Sequence, residues 1–233
     1  MNFQPFVLKE FVDESEDVRT FKFSKADGAI PIYKPGHFFL MRLKGEDGKP
    51  VQRSYSVASH PDESLLSFCI KLKGAFTHML WKLKAGDTVE LDGPYGVFLL
   101  RAEDTERVFI GGGVGISALR SMILQTVKHD GKRAYLFHAA HEFSGLAYFS
   151  EMKKLAGEYP LFKFYSCVTG ENKPEGWGGY CERISVPMIK AALGTLSEKT
   201  FYLCGSKEMC AGLTTALLAE GVAKDRIKKD EWG

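Results

Sequence analysis

Up to about residue 100 the apolar positions fall in short runs that alternate with polar ones or gather aromatic side chains. They are "FVLKEFV", "VRTFKFS", "HFFLMRL", "QRSYSVA", "LLSFCIKL" and "DTVELDG". Turn residues punctuate them, in "ADG", "KPG", "GEDGKP" and "AGD". Alternation with a period of two, bounded by Gly, Pro and Asp, is the signature of strands. Six such runs at this spacing predict a closed or nearly closed antiparallel β-barrel. One segment breaks the rhythm: "FTHMLWKL" (76–83) has its apolar residues at helical spacing.

Beyond "GPYGVF" the pattern changes. "RVFIGGG" leads into a helical stretch to about Lys128, "RAYLFHA" into "LAYFSEMKKLA", and "LFKFYSC" into a glycine-rich loop. "ERISVPMIKAAL" then precedes "TFYLCGS" and a last helix, "KEMCAGLTTALLAEG". Short apolar strands alternating with helices predict an α/β unit built on a parallel sheet. The polar stretch "RAEDTER" separates the rhythms, so a barrel over 1–102 and an α/β domain over 103–233 are expected.

Composition narrows the function classes. The 233 residues are 45% hydrophobic and 26% charged, which suits two globular domains. The net charge of +2 comes from 31 basic and 29 acidic residues, well interspersed, and calls for neither nucleic acid nor an anionic membrane. No apolar run approaches the roughly 20 residues of a bilayer span, and the N-terminus lacks the basic start and apolar core of a signal peptide. The five cysteines (69, 167, 181, 204, 210) are scattered, with no C-x-x-C and no ferredoxin-type spacing. They read as free thiols, and a cytoplasmic location is expected.

The first half holds one unusual strand. Arg53 offers a planar fork of donors suited to a phosphate pair. Tyr55 shares its face, with a ring able to lie against a flat heterocycle. Ser56 adds a hydroxyl, and Ser54 faces the other way. Some twenty residues on, Gly74 permits a turn and Thr77 is expected to cap a short helix, whose N-terminus suits an anion. Fork, flat ring and helix start together fit a dinucleotide carrying an aromatic tricycle.

In the second half, Gly112, Gly113 and Gly115 follow a strand and precede a helix, the arrangement that lets a backbone approach a pyrophosphate. Ala118 stands where a third glycine of G-x-G-x-x-G would be. Cys204-Gly205 repeats the plan after a later strand, on the ligand side of an open parallel sheet. Trp232 either packs on the surface or covers an apolar ligand face. His138 and His141 form an H-x-x-H pair without the further ligands a metal site needs, so no metal is expected.

The ordered set "RSYS", "GAFT", "GPYG", "GGVGISALRSM" and "YLCGS" resembles the ferredoxin–NADP reductase superfamily over nearly the whole chain. The resemblance implies a barrel that binds FAD, or less often FMN. Arg53 would meet the flavin phosphates, Tyr55 would stack on the isoalloxazine and Ser56 would bond near its N5. Gly74, Phe76 and Thr77 would hold the pyrophosphate at the helix start, while the main chain of Cys69, Ile70 and Lys71 would line the adenine-side path. NADH or NADPH would bind the second domain, its pyrophosphate cradled by Gly112, Gly113, Val114, Gly115, Ile116 and Ser117. Cys204 and Gly205 would lie beside the nicotinamide, and Glu231 with Trp232 resembles the acidic and aromatic C-terminal pair of some members.

Where NADPH-using members carry arginines, this chain has Ser166-Cys167-Val168 and His138, which favours NADH; Lys173 or Arg183 remain as loop charges. The implied activity is a hydride taken from NAD(P)H to bound FAD, then electrons to a separate acceptor: a ferredoxin, a flavodoxin, an oxygenase component or a small molecule. Two other readings stay open: a free-flavin reductase or diaphorase, and a non-catalytic flavin- or nucleotide-binding module.

Overall fold

The computed structural model describes residues 2–45 and 47–232. The alternating runs become β1 (Gln4–Ser15), β2 (Val18–Ser24), β3 (Phe38–Lys44), β4 (Pro50–Ser56), β5 (Leu66–Lys71) and β6 (Thr88–Tyr95), with α1 (Ala75–Trp81) between the last two. They pair in the order β4-β3-β6-β1-β2-β5, every ladder antiparallel. The end strands converge, because Ala58 just beyond β4 donates its N–H to the Ser67 carbonyl of β5 at 2.8 Å. The sheet thus curls into a nearly closed barrel. Alternation sets what fills it: β3 turns Phe39, Met41 and Leu43 inward at every second position. They meet Phe6, Phe21, Phe23 and Phe68, and α1 adds Leu80 to the same core.

The second unit comprises β7 (Glu106–Gly112), β8 (Arg133–Ala140), β9 (Phe162–Val168), β10 (Thr200–Ser206) and β11 (Ile227–Trp232), with α2 (Ile116–Leu124), α3 (Phe149–Glu158), α4 (Val186–Leu193) and α5 (Lys207–Ala219). The sheet order is β11-β10-β7-β8-β9 and every ladder is parallel. Helices cover both faces, so the inner strands are apolar throughout rather than alternating. Phe109, Leu136 and Tyr202 pack with Leu119, Met122 and Ile123 of α2 on one side. Ile110, Phe137 and Leu203 pack with Ile189 of α4 and Leu213 of α5 on the other. β8 and β9 extend the sheet to one side of β7 and β10 to the other, so the strand order reverses between β7 and β10. That switch point opens a crevice at the strands' C-terminal ends.

The C-terminal residues differ from expectation. "KKDEW" carries no apolar alternation, yet it forms the edge strand β11, with Cys204 opposite Asp230 and Ser206 opposite Trp232. An edge strand needs partners for its main chain on one side only, so its side chains can stay polar.

A partly buried cation joins the two units. Arg120 of α2 donates to the Ala58 carbonyl at 2.9 Å and to Glu63 at 2.7 Å on the barrel side, and to Glu151 of α3 at 2.7 Å. Tyr148 and Thr20 add a hydroxyl pair at 2.8 Å across the same seam.

Candidate active site

The crevice is built by backbone. β7 delivers Gly112, the chain tightens into a single turn over Gly113–Gly115, and α2 begins at Ile116. Gly113 sits at φ +52°, and a Cβ on Gly115 would lie 2.1 Å from the Cys204 carbonyl oxygen. Only glycine lets this turn rest directly against β10. Beneath it His138, fully buried on β8, donates from Nε2 to the Gly113 carbonyl at 2.9 Å. Burial pulls its imidazole down to about 4, so it is neutral at physiological pH. His138 is therefore an uncharged strut under the loop.

A cavity of about 1370 Å³ opens beside the turn. Gly112, Gly113 and Val114 line it, with His141 and Glu142 after β8, Arg183 and Ser185 before α4, and Met209 of α5. The barrel contributes Asp17 and Lys71, which pair at 2.9 Å. Ile116 and Ser117, expected in the pyrophosphate cradle, are buried instead, and the Ser117 hydroxyl donates to the Ser56 carbonyl at 3.1 Å. Ser117 ties the glycine loop to the barrel.

On the barrel side, β4 is an edge strand. Its register sets Arg53 opposite Met41 and Tyr55 opposite Phe39, with Ser54 and Ser56 on the other face. Arg53 is exposed and pairs with no carboxylate among the described residues; its guanidinium donates to the Gln52 carbonyl at 2.7 Å. The ring of Tyr55 is half-buried, with its centroid 6.0 Å from that of buried Phe76, and desolvation pushes its phenol up to about 12. An exposed planar cation two residues from a fixed ring fits a phosphate and a flat heterocycle.

Thr77 is not a cap. The helix starts from Gly74 at φ +81°, and the buried Thr77 hydroxyl accepts the Lys73 N–H at 2.7 Å while donating to the Gly74 carbonyl at 3.0 Å. The hydroxyl shapes the loop that precedes α1, because a threonine in the first helical turn can reach back to it. Cys69 and Ile70 are buried in β5, opposite Thr20 and Arg19 of β2, and only Lys71 at the strand's end is exposed and lines the cavity.

The two units meet at Ser56. Its hydroxyl donates to the Asp230 carboxylate at 3.4 Å, and Asp230 lies beside Cys204 in the β10–β11 register. Cys204 is 1% exposed, and burial with Asp230 nearby holds its thiol well above the usual range. Trp232 ends β11, lines the cavity and reaches to within 2.9 Å of where a Gly115 Cβ would be. The acidic residue brought to Ser56 is thus Asp230 and not Glu231, which points the other way and pairs with Lys229 at 3.1 Å. Counting back from Trp232 in steps of two reaches Asp230, a signal visible only once the segment is known to be a strand.

Ser56, Cys204, Asp230 and Trp232 converge between a flat-ring platform and a glycine-walled cavity, which is the arrangement of a two-domain flavoprotein. The comparisons with known proteins agree. Residues 5–99 match the oxidoreductase FAD-binding domain, and residues 109–214 match the oxidoreductase NAD-binding domain. The ferredoxin NADP+ reductase of Neisseria gonorrhoeae, solved with FAD and NADP, superposes with a TM-score of 0.85 over 99% of each chain at 22% identity. The flavohem-like FAD/NAD-binding domain of nitric oxide dioxygenase from Vibrio cholerae gives 0.88 over 100% of each at 23% identity.

Among curated proteins, a component of the Na(+)-translocating NADH-quinone reductase of Yersinia enterocolitica is 27% identical over 98% of this chain and 61% of its own length. Its Klebsiella pneumoniae counterpart is 28% identical over 84% and 52%. The chain therefore spans little more than half the length of these relatives. The chain is an oxidoreductase built from an FAD-binding and an NAD-binding domain, and its fold is that of the ferredoxin–NADP reductase-like flavoproteins.

Proposed function

We propose that the chain reduces FAD held on β4 with NADH bound at the β7/β10 crevice, and hands the electrons to a separate protein or small-molecule acceptor. The observation that carries this reading is the meeting of Ser56, Cys204 and Asp230 where the two nucleotide sites face each other. The proposed division of labour follows residues 1–102 for the flavin and 103–233 for the nicotinamide.

In this reading Arg53 anchors the flavin phosphates and the Tyr55 ring supports one face of the isoalloxazine. The Gly74–Thr77 loop presents main-chain N–H groups, with Thr77 holding its shape rather than touching phosphate. Gly112, Gly113 and Val114 take the nicotinamide nucleotide's pyrophosphate. FAD, when bound, supplies the conversion of a two-electron donor into one-electron steps. The protein supplies orientation and electrostatics. Ser56 directs its O–H at Asp230 Oδ2, Cys204 stays a neutral thiol, and Trp232 shields the junction from water.

NADH is favoured over NADPH. Glu142 and Glu208 both line the cavity, and carboxylates oppose an additional phosphate dianion while accepting bonds from ribose hydroxyls. The relatives named for NADH and quinone support the same choice. For the acceptor, a ferredoxin, a flavodoxin or an oxygenase component would take electrons singly, whereas a quinone-type small molecule could take them singly or as a pair. Anaerobic mixing of the FAD-loaded protein with equal NADH or NADPH tests the donor assignment. NADH should bleach the flavin faster; equal rates or NADPH preference would refute it.

A further inference from the structure

A second cluster of side chains lies away from the crevice, on the seam between the two domains. His60 and Asp62 come from the segment between β4 and β5, and His129 ends the wide helical turn that follows α2. We propose that His60, Asp62 and His129 bind a divalent transition-metal ion of the zinc class and so link the barrel to the nucleotide domain.

The ligand set and its spacing support this. His60 Nδ1 is 3.7 Å from Asp62 Oδ2, and His129 Nε2 is 3.4 Å from the same oxygen. The three ligand atoms all lie within 4.8 Å of one another. Tetrahedral zinc with bonds of about 2.0–2.1 Å places its ligand atoms roughly 3.3–3.5 Å apart, so two of the three pairs already have near the required separation. Two imidazoles and a carboxylate suit borderline zinc, leaving a fourth position for water.

The surroundings favour an ion over a plain ion pair. His60 Nε2 bonds Gln125 Oε1 at 2.9 Å, and that amide is itself oriented by donating to Asp130 at 2.8 Å. An acceptor at Nε2 puts the ring proton there and leaves the Nδ1 lone pair facing Asp62, where it meets only a long 3.3 Å contact from the Asp62 N–H. A ligating histidine is usually fixed this way, by a bond from its other nitrogen. The imidazoles are stacked at 4.3 Å and 10°, so closure on an ion requires one ring to tilt. His129 is the ring with room to do so: its side chain is 39% exposed against 7% for His60. None of the three residues lines the large cavity, so the site is separate from the nucleotide crevice.

The test uses the FAD-loaded protein carrying Cys181→Ser, which removes the exposed thiol as a competing ligand. After chelator treatment it is titrated with Zn²⁺ by calorimetry and with Co²⁺ by visible absorption. One equivalent should bind, with the intense cobalt bands of a tetrahedral site. His129→Gln and Asp62→Asn, one from each domain and both at exposed side chains, should each weaken binding about tenfold or more. The same concentration of Zn²⁺ should raise the melting temperature of the unsubstituted site by clearly more than that of either variant. No saturable binding, or binding that either variant leaves intact, would overturn the proposal.

Discussion

The Ser56 hydroxyl meets the Asp230 carboxylate at 3.4 Å, joining residues 174 positions apart across the two domains. Burial raises the Asp230 carboxyl above the usual carboxylate range, the Ser56 bond opposing that shift. A raised folded-state value means the folded protein binds its proton more tightly than the unfolded chain. Its contribution to stability is therefore greatest at acid pH and is lost as pH rises from about 4 through the raised value. Asp230→Asn removes that cost. The variant should melt no lower than the parent at pH 7, yet reduce its flavin more slowly. A lower melting temperature with an unchanged reduction rate would make Asp230 merely structural.

Arg53 is exposed and pairs with no carboxylate among the described residues, so its loss should leave folding intact. If its guanidinium meets the flavin phosphates, Arg53→Ala forfeits a charge-assisted contact of about 1.5–3 kcal/mol, or roughly ten- to a hundredfold in FAD affinity. Equilibrium titration of the apoprotein with FAD measures this. Unchanged affinity would move the phosphates elsewhere on the barrel.

His138 gives a pH signature. Its imidazole sits at about 4 when folded, against an ordinary value near 6.5, so the unfolded chain binds the extra proton first. The stability it confers is complete above about 6.5 and drains away as pH falls toward 4, by at most about 1.4 kcal/mol per unit. His138→Leu should flatten that part of the stability profile and, by freeing the Gly113 carbonyl, raise KM for NADH more than it lowers kcat. His138→Gln, which can still donate, should recover most of the KM. Denaturant melts between pH 4 and 7 and steady-state kinetics check both halves.

Arg120 ties three segments together. Removing it strands Glu63 and Glu151 beside each other at the seam. Both carboxylates stay about a third exposed, so Arg120→Ala should cost about 2–3 kcal/mol, below the penalty of a deeply buried pair. Chemical denaturation should show a shifted midpoint, and a cost under about 0.5 kcal/mol would place it among ordinary surface pairs.

Much of this architecture is legible in the sequence because burial leaves period-two and apolar-run patterns. β3 reads as a strand from "FFLMRL" alone, and β7 from "RVFIGG". The glycine turn is legible too, since Gly115 leaves no space for a side chain. What escapes is set by long-range pairing. β11 is polar and becomes a strand only by docking on β10, so the choice between Asp230 and Glu231 requires its register. Thr77 reads as a cap from its place before an apolar run, but the helix is capped at Gly74, three residues earlier. The His60–His129 contact joins segments 69 positions apart, and no local spacing signals it.

The most direct test is anaerobic reduction. The purified chain, reconstituted with FAD and freed of excess by gel filtration, is mixed with NADH in a stopped-flow spectrophotometer. The account predicts a yellow protein whose flavin absorbance bleaches at a saturable rate, with the rate lowered in Asp230→Asn and Cys204→Ser while FAD stays bound. A protein that retains no FAD after reconstitution, or whose bound FAD neither NADH nor NADPH bleaches, would contradict it.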